Sequence, residues 1–268
     1  MKILFTDLDG TLLTRDKRIS DADLASIRRM IGAGHRFVIA SGRPLPSVLK
    51  LVDEYDLNRP NFYVSCFNGS LIYDCYEKKT IRQITVSYED AQYLFDCAAK
   101  EGLHVHTYSD THVVSHHETE EMTYYLAHIH MPGLVSKDVK KYLTHEPCKL
   151  IVMSFESRLR LQEFQKKMAP FEEGRLSHTY SCDYMLEYAA LEASKGASIR
   201  VLCADHGIPV SDAVAVGDEE NDISMIDAAG VGVAMKNATD AVKSHADYIT
   251  QRDNDHDAIT EVIERFIL

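Results

Sequence analysis

The feature that most constrains the fold is an alternation of short apolar runs with amphipathic segments, found near both ends of this 268-residue chain. The runs at 3–6, 37–40 and 62–65 are predicted strands, and helices are predicted between them. The same order returns later, with strands at 213–216 and 231–234. Such alternation is typical of a parallel sheet covered by helices. The sequence therefore predicts an α/β fold.

The middle of the chain has a different pattern, because its predicted strands come in adjacent pairs. A helix at 87–100 precedes strands at 103–108 and 111–115, and a helix at 158–168 precedes strands at 175–181 and 185–189. Paired strands with segregated helices favour an α+β arrangement. We therefore predict a parallel-sheet core formed by residues 1–81 and 190–268, with an α+β domain inserted at 82–189.

Charge and composition exclude several classes of partner. The chain has 29 Lys and Arg against 41 Asp and Glu, a formal net charge of −12, which argues against binding to nucleic acid. No apolar run approaches the roughly 20 residues that cross a bilayer, and the acidic Asp7 comes too early for a signal sequence. The six cysteines form no Cys-x-x-Cys pair and are expected to be reduced thiols. We expect a cytoplasmic protein with no nucleic-acid or membrane partner; its oligomeric state stays open.

The strongest chemical signal is the run Asp-Leu-Asp-Gly-Thr-Leu at residues 7–12, directly after the first predicted strand. The carboxylates of Asp7 and Asp9 project to one side of an extended chain, and Gly10 allows a sharp turn beside them. Parallel α/β sheets bind ligands at the carboxyl ends of their strands. Two carboxylates this close repel each other and require a cation or a shared proton, and an all-oxygen site suits Mg²⁺. An isolated Asp-x-Asp is also an ordinary turn, so the signal needs support from elsewhere.

Three further segments provide that support. Ser41 and Gly42 follow the second strand, where a hydroxyl and amides at a helix start can cradle a phosphate. Lys195 opens the helix at which the core resumes. A Gly-Asp-Glu-Glu-Asn-Asp run at 217–222 follows another buried strand and places Asp218 at its tip. Each segment alone has a plainer interpretation as a loop, a solvated lysine or an acidic helix start, but together they indicate a phosphate site.

In this order the four segments resemble the four motifs of the haloacid dehalogenase superfamily of phosphohydrolases. The insertion, together with Phe-Asn-Gly-Ser at 67–70 and Val-Ala-Met-Lys-Asn-Ala at 233–238, is similar to the Cof-like branch with its large α/β cap. The resemblance covers essentially the whole chain. It implies a Rossmann-like core and a cap at 82–189 that determines substrate specificity.

The resemblance also implies a role for each motif residue. Asp7 would be the nucleophile that forms an aspartyl-phosphate, and Asp9 the general acid and then the general base. The implied Mg²⁺ ligands are Asp7, the backbone carbonyl of Asp9, and Asp218. The implied phosphate-binding groups are the amides of Leu8 and Gly42 with the side chains of Ser41, Lys195 and Asn221. Asp222 is expected to orient its neighbours.

The implied activity is Mg²⁺-dependent hydrolysis of small phosphorylated metabolites, such as sugar phosphates or the cofactors pyridoxal phosphate and flavin mononucleotide. The same site would also suit a phosphotransferase or a sugar phosphomutase, since both use an aspartyl-phosphate. A metabolite-binding protein without activity is a third interpretation. The presence of Asp7, Asp9, Lys195 and Asp218 argues against it.

Two other clusters have simpler interpretations. Asp253, Asp255, Asp257 and Glu264 have the spacing of calcium ligands in an EF-hand, but Ala258 replaces the glycine that such a loop requires, so no calcium site is predicted. Seven of the 13 histidines lie between Leu103 and Met131, within the inserted segment: His104, His106, His112, His116, His117, His128 and His130. We interpret them as part of a polar cap surface, in preference to a substrate-facing group or a zinc site.

Overall fold

The computed structural model describes residues 1–129 and 131–268. Its strands are, in chain order, β1 Ile3–Thr6, β2 Arg36–Ala40, β3 Phe62–Cys66, β4 Leu71–Asp74, β5 Lys79–Gln83, β6 His104–Tyr108, β7 Val113–Ser115, β8 Gly133–Val135, β9 Lys149–Met153, β10 Leu176–Cys182, β11 Met185–Ala190, β12 Ala213–Gly217, β13 Val231–Ala234 and β14 Tyr248–Ile249. Its helices are α1 Asp21–Gly32, α2 Leu45–Glu54, α3 Tyr88–Lys100, α4 Glu120–Ile129, α5 Arg158–Glu172, α6 Lys195–Asp205, α7 Ile223–Ala228, α8 Asp240–His245 and α9 Ala258–Phe266.

The chain forms two compact units. The first consists of Met1–Gly42, Val48–Arg82 and Ser194–Leu268, and the second of Arg43–Ser47 and Gln83–Ala193. Each unit has its own sheet and its own buried apolar cluster. The first unit is therefore assembled from both ends of the chain.

The sheet of the first unit has the order β14-β13-β12-β1-β2-β3-β4-β5. β1 pairs in parallel with β12 on one side and with β2 on the other, and the parallel pairing continues to β14 and to β3. All four residues of β1 are buried, because helices cover the sheet, and this is why the strand is an uninterrupted apolar run. The prediction of an α/β fold with a parallel sheet is confirmed. The pattern did not predict β4, which runs antiparallel to β3, or the adjacent β5.

The helix α6 begins at Lys195 because two local features end the preceding loop there. Ser194 has an extended backbone, and its hydroxyl accepts a hydrogen bond from the amide of Ala197, as an N-cap residue does. Gly196 lies against the backbone carbonyl of Ser224, and a Cβ at position 196 would collide with that carbonyl. The close approach that glycine permits packs the first turn of α6 against α7, and it places Lys195 in the interior.

The sheet of the second unit has the order β10-β11-β9-β6-β7-β8, with antiparallel pairs except for β7 and β8, which are parallel. One face of the sheet carries apolar side chains such as Val105, Leu150 and Leu186, which pack against α3 and α5. The pairs β6 with β7 and β10 with β11 are those that the sequence predicted. Each of these strands begins and ends within two residues of its predicted bounds. The sequence analysis did not anticipate α4 or β8.

The histidines of β6 do not belong to a polar surface, so that interpretation is wrong for two of them. His104 and His106 are buried, and the Nε2 of His104 lies 2.9 Å from the Nδ1 of His106. The hydroxyl of Thr119 lies 3.0 Å from the Nδ1 of His104. The ring of Tyr125, on α4, packs over His106. Because α4 adds a second layer to this face, polar side chains of the strand are enclosed; His130 lies outside the described residues.

None of the six cysteines, all of which lie in the described ranges, forms a disulfide. None of the helices in the described ranges is both long enough and apolar enough to cross a membrane.

The buried histidines predict that the second unit loses stability in mild acid. Burial lowers the pKa of His104 to about 4 and holds that of His106 well below its usual range. Unfolded histidines take up protons near pH 6.5 whereas the folded unit keeps them neutral, so the stabilisation is complete above about pH 6.5 and is lost as the pH falls towards 4. At pH 5 the loss for His104 is about 2 kcal/mol.

Urea unfolding at pH 7 and pH 5, followed by amide hydrogen exchange of β6 and β9, measures this loss. His104→Gln should reduce the difference between the two pH values, whereas His128→Gln, at an exposed position of the same unit, should not. An equal pH dependence in the wild type and in His104→Gln would contradict the prediction.

Candidate active site

The first motif residue, Asp7, directly follows β1 at the carboxyl edge of the parallel sheet. Its amide donates to the carbonyl of Val216 at the end of β12, which extends the parallel pairing by one residue. The chain then turns tightly, with the amide of Leu13 donating to the carbonyl of Leu8. Gly10 has a φ of +84° in this turn, and a Cβ there would collide with the carboxylate of Asp218. The glycine therefore allows the two motifs to approach each other.

Lys195 joins the first motif to the last. Its ammonium donates to Oδ1 of Asp7 at 2.6 Å and to Oδ1 of Asp222 at 2.5 Å. The lysine is 1% exposed and both carboxylates are buried. A lysine at a helix start is usually solvated, so only the structure shows that this one is an interior cation.

Asp222 is fully occupied by contacts within the protein. Its Oδ2 accepts hydrogen bonds from the amides of Asp218, at 2.9 Å, and Glu219, at 3.1 Å. Gly217 leaves the room for this side chain, since a Cβ at position 217 would overlap it. The carboxylate thus closes the turn after β12 and holds Lys195, which is the geometry of an orienting residue.

Asp218 is held by a residue to which the sequence analysis gave no role. The hydroxyl of Thr11 donates to Oδ1 of Asp218 at 2.6 Å, and both residues are buried. The signal was present in the first motif, where a threonine follows Gly10, but a hydroxyl at that position has no partner until β1 and β12 are paired.

The site contains more negative than positive charge. Burial, with the nearby Asp222 and Asp218, raises the pKa of Asp7 well above its usual range, although Lys195 opposes this. Burial raises the pKa of Asp218 to about 7. Burial alone would lower the pKa of Lys195, but Asp222 and Asp7 outweigh burial and raise it, so the lysine stays charged. One cation among three carboxylates leaves a site that a further cation would stabilise.

A metal ion would fit this arrangement. Oxygen atoms of Asp7, Asp218 and Asp222 lie within 4.8 Å of one another, and these residues are the only such group of possible ligands within residues 1–129 and 131–268. Since both oxygens of Asp222 already accept hydrogen bonds, Asp7 and Asp218 are the carboxylates best able to bind the ion. A hard, all-oxygen donor set of this kind suits a divalent cation such as Mg²⁺.

The predicted phosphate-binding residues lie in two groups. Lys195 is within the charged cluster just described. Ser41, 2% exposed, follows β2, and its carbonyl accepts from the amide of Asn68. Asn68 also accepts from the side chain of Asn221 at 3.3 Å, and its carboxamide oxygen would lie 3.0 Å from a Cβ at Gly42. Asn68, to which the sequence analysis assigned no role, therefore links the second motif to the fourth.

The backbone amide of Leu8 is the last of the predicted phosphate-binding groups. Leu8 lies in the turn after β1, and its side chain is buried. Asp9, in the same turn, differs from Asp7 in its surroundings. The Asp9 side chain is 39% exposed, and its Oδ1 forms an ion pair with Lys17 at 2.7 Å. No motif in the sequence marked Lys17, because in the linear chain it is one of several charged residues of a polar loop.

The acidic segment near the end of the chain connects loops. Asp255 binds Arg15, Asp257 accepts from the hydroxyl of Ser20, and Asp253 accepts from His256.

Comparison with protein families matches residues 4–263 to the haloacid dehalogenase-like hydrolases. A pyridoxal phosphate phosphatase of Escherichia coli is 28% identical across 98% of this chain and 97% of its own length. A 5-amino-6-(5-phospho-D-ribitylamino)uracil phosphatase of Bacillus subtilis is 25% identical across 100% of this chain and 98% of its own. Among solved structures, a haloacid dehalogenase-like hydrolase of Bacteroides thetaiotaomicron is similar with a TM-score of 0.90, at 30% identity and covering 98% of each chain.

A parallel sheet with a buried acidic cluster at its carboxyl edge defines the general class, an α/β protein of Rossmann-like architecture. The family match, which spans nearly the whole chain, is more specific: the chain belongs to the haloacid dehalogenase-like hydrolases. The resemblance drawn from the four motifs is thereby confirmed. So is the predicted enzyme class, since relatives that span the chain are named phosphatases.

The geometry predicts that Lys195 is essential for the stability of the first unit. Lys195→Met leaves Asp7 and Asp222 buried without their cation, which should cost about 3–5 kcal/mol of unfolding free energy. The measurement is urea unfolding followed by amide hydrogen exchange of β1 and β12.

The matched control is Arg29→Met, which removes an exposed ion pair with Glu264 in the same unit and should cost about 1 kcal/mol or less. If Lys195→Met and Arg29→Met lose equally little free energy of unfolding, Lys195 does not stabilise the first unit as predicted.

Proposed function

We propose that this protein is a Mg²⁺-dependent phosphatase of small phosphorylated metabolites that works through an aspartyl-phosphate on Asp7. The observation that carries the proposal is the pairing of a buried Asp7 carboxylate with the ammonium of Lys195, beside a second acidic residue, Asp218. The ion pair fixes the direction of one carboxylate oxygen, and a carboxylate held in this way is suited to in-line attack on a phosphate. The family to which the chain belongs supports the same chemistry.

In the proposed first step, an oxygen of Asp7 forms a bond to phosphorus while the bond from phosphorus to the leaving oxygen breaks. Asp9 gives its proton to that oxygen, so that the product leaves as a neutral alcohol. In the second step, Asp9 takes a proton from water as the water oxygen attacks phosphorus. The bond from phosphorus to Asp7 breaks, which releases inorganic phosphate and restores the carboxylate. The partial exposure of Asp9 suits a group that meets both a leaving alcohol and water.

The phosphate oxygens would be held by positive charge and by directed donors. An ammonium has three N–H donors, and Lys195 uses two of them on Asp7 and Asp222, so one remains for a phosphate oxygen. The hydroxyl of Ser41 and the side chain of Asn221, with the amides of Leu8 and Gly42, complete the proposed set. Donors held rigidly before the substrate binds are the main source of catalysis in phosphoryl transfer.

The proposed ligands of Mg²⁺ are Asp7, the backbone carbonyl of Asp9, and Asp218. When bound, the ion would offset the repulsion between the Asp7 carboxylate and the negatively charged phosphate. The raised pKa values of Asp7 and Asp218 support this assignment, because they arise chiefly from burial and a bound cation would stabilise both buried carboxylates in their charged form. Thr11 and Asp222 would keep Asp218 in position.

The substrates that we propose are phosphate monoesters of small molecules, with sugar phosphates and phosphorylated cofactors such as pyridoxal phosphate and flavin mononucleotide as the leading candidates. Relatives named for the hydrolysis of pyridoxal phosphate and of a phosphorylated ribitylaminouracil support this class. We propose that the inserted cap selects the leaving group. We also propose that the reaction takes place in the cytoplasm, in agreement with six cysteines that form no disulfide.

The proposal predicts Mg²⁺-dependent phosphate release that requires Asp7. Purified protein should release inorganic phosphate from members of a panel of phosphorylated metabolites, and EDTA should abolish the release. Asp7→Asn should reduce kcat by at least about 10³-fold without loss of fold, because an amide cannot form the covalent intermediate. If the variant retains activity, Asp7 is not the nucleophile. If a phospho-enzyme forms and phosphate passes to a second metabolite in preference to water, the protein is a phosphotransferase or a mutase.

Asp218 should determine the Mg²⁺ requirement. Asp218→Asn removes one anionic ligand while keeping its shape, so the Mg²⁺ concentration for half-maximal activity should increase at least about tenfold. Glu220→Gln, which neutralises an exposed acid two residues away, should leave the Mg²⁺ titration unchanged. An identical titration in the wild type and in Asp218→Asn would remove Asp218 from the metal site.

A further inference from the structure

A loop lysine directly contacts the proposed general acid. The ammonium of Lys17 lies 2.7 Å from Oδ1 of Asp9, within the first unit, and the two side chains are 62% and 39% exposed. Neither residue belongs to the buried network of Asp7 and Lys195. The contact therefore requires an explanation of its own.

The loop directs Lys17 towards Asp9 through a closed turn. The amide of Thr14 donates to the carbonyl of Arg18, and the amide of Lys17 donates to the carbonyl of Thr14. The Thr14 hydroxyl adds hydrogen bonds with the backbone of Arg18. Lys17 has a left-handed backbone with a φ of 59°, which is uncommon for a residue with a side chain. The turn thus imposes a specific direction on this side chain.

The neighbouring cation of the loop is directed elsewhere. Arg15 binds Asp255, through both its backbone amide and its side chain. The side chain of Asn237 donates to the carbonyl of Gly10, and that of Asn254 donates to the carbonyl of Leu13. The bonds from Asn237 and Asn254 hold the segment that carries Asp9 from the other side, so that Lys17 acts on an anchored backbone.

An exposed ion pair contributes little to folding, typically less than about 1 kcal/mol. The ion pair between Lys17 and Asp9 instead affects the orientation of the Asp9 carboxyl group. A partly exposed carboxylate can rotate about its side-chain bonds, whereas proton transfer requires it at hydrogen-bond distance from the leaving oxygen. An ammonium that holds one carboxylate oxygen restricts this rotation.

We propose that Lys17 is a positioning residue for the reaction: its ammonium holds Oδ1 of Asp9, so that Oδ2 of the same carboxyl group carries the proton and is directed to the leaving oxygen. This inference rests on the proposed function, because it takes Asp9 as the general acid. Lys17 acts through Asp9 and contacts neither the phosphate nor the metal ion in this scheme. Its contribution therefore depends on how much the leaving group needs a proton.

The test compares two classes of substrate by kcat/KM, which reports on the steps up to phosphoryl transfer to Asp7. An alkyl phosphate, the one hydrolysed fastest in the panel, needs a proton on its leaving oxygen, whereas 4-nitrophenyl phosphate has a leaving group that departs as an anion. Lys17→Met, which keeps the length of the side chain, should lower kcat/KM for the alkyl phosphate roughly fivefold. For 4-nitrophenyl phosphate the change should be less than about twofold, and Lys17→Arg should restore most of the alkyl activity.

A double-mutant cycle shows whether Lys17 acts through Asp9. In the Asp9→Asn background, Lys17→Met should have no further effect, because the group that it orients is no longer an acid. Arg15→Met is the matched control: it removes a cation of the same loop that binds Asp255, and it should leave both substrates unaffected. The melting temperatures of Lys17→Met and Arg15→Met should equal that of the wild type.

The outcomes separate this inference from the proposed function. A wild-type protein that hydrolyses neither substrate overturns both. If the wild type hydrolyses both substrates and requires Asp7, the inference is overturned by an unchanged ratio of alkyl to aryl activity in Lys17→Met, or by an equal additional loss in the Asp9→Asn background. A selective loss on the alkyl phosphate that disappears in that background supports it.

Discussion

The buried ammonium of Lys195 is the interaction on which the site depends. Asp7, Asp218 and Asp222 lie close together at the edge of the sheet, and three buried carboxylates without a cation would repel one another at a large cost in stability. Lys195 holds Asp7 and Asp222 at the same time, although Asp7 is 188 residues away in the chain. The site can therefore exist only after both ends of the chain have joined one sheet. Around this cation, the start of α6 and the turn after β12 are tightly constrained.

The acidic residues of the site are chemically alike but are given different tasks by their surroundings. The two oxygens of Asp222 accept hydrogen bonds from Lys195 and from two backbone amides, so this residue stabilises the structure. Asp218 is held through one oxygen by Thr11. Asp7 is buried against a cation, and Asp9 reaches the surface, where Lys17 meets it. Burial, hydrogen bonding and exposure thus suit four identical side chains to the different roles that we propose for them: nucleophile, metal ligand, orienting residue and proton donor.

Elements with a strong local sequence pattern were predicted correctly, whereas elements with a weak pattern were not. The central strands were predicted because strands covered on both faces need unbroken apolar runs, as in β1 and β12. The strand β4 and the two edge strands, β5 and the two-residue β14, carry weaker patterns and were missed. His104 and His106 were misjudged because an alternating strand looks half exposed until its second layer is known. In this unit α4 provides that layer, with Tyr125 packed over His106.

By itself, the sequence determined the class of fold, the order of the four motifs and the identity of the chemical groups, because short-range periodicity and residue type are properties of the linear chain. Only the tertiary structure decided which of these groups meet. It brought Lys195 to Asp7 and Asp222, gave Thr11 and Asn68 their partners, and placed Lys17 beside Asp9. The physical reason is that these contacts depend on the pairing of distant strands and on burial, and neither is encoded by any single segment.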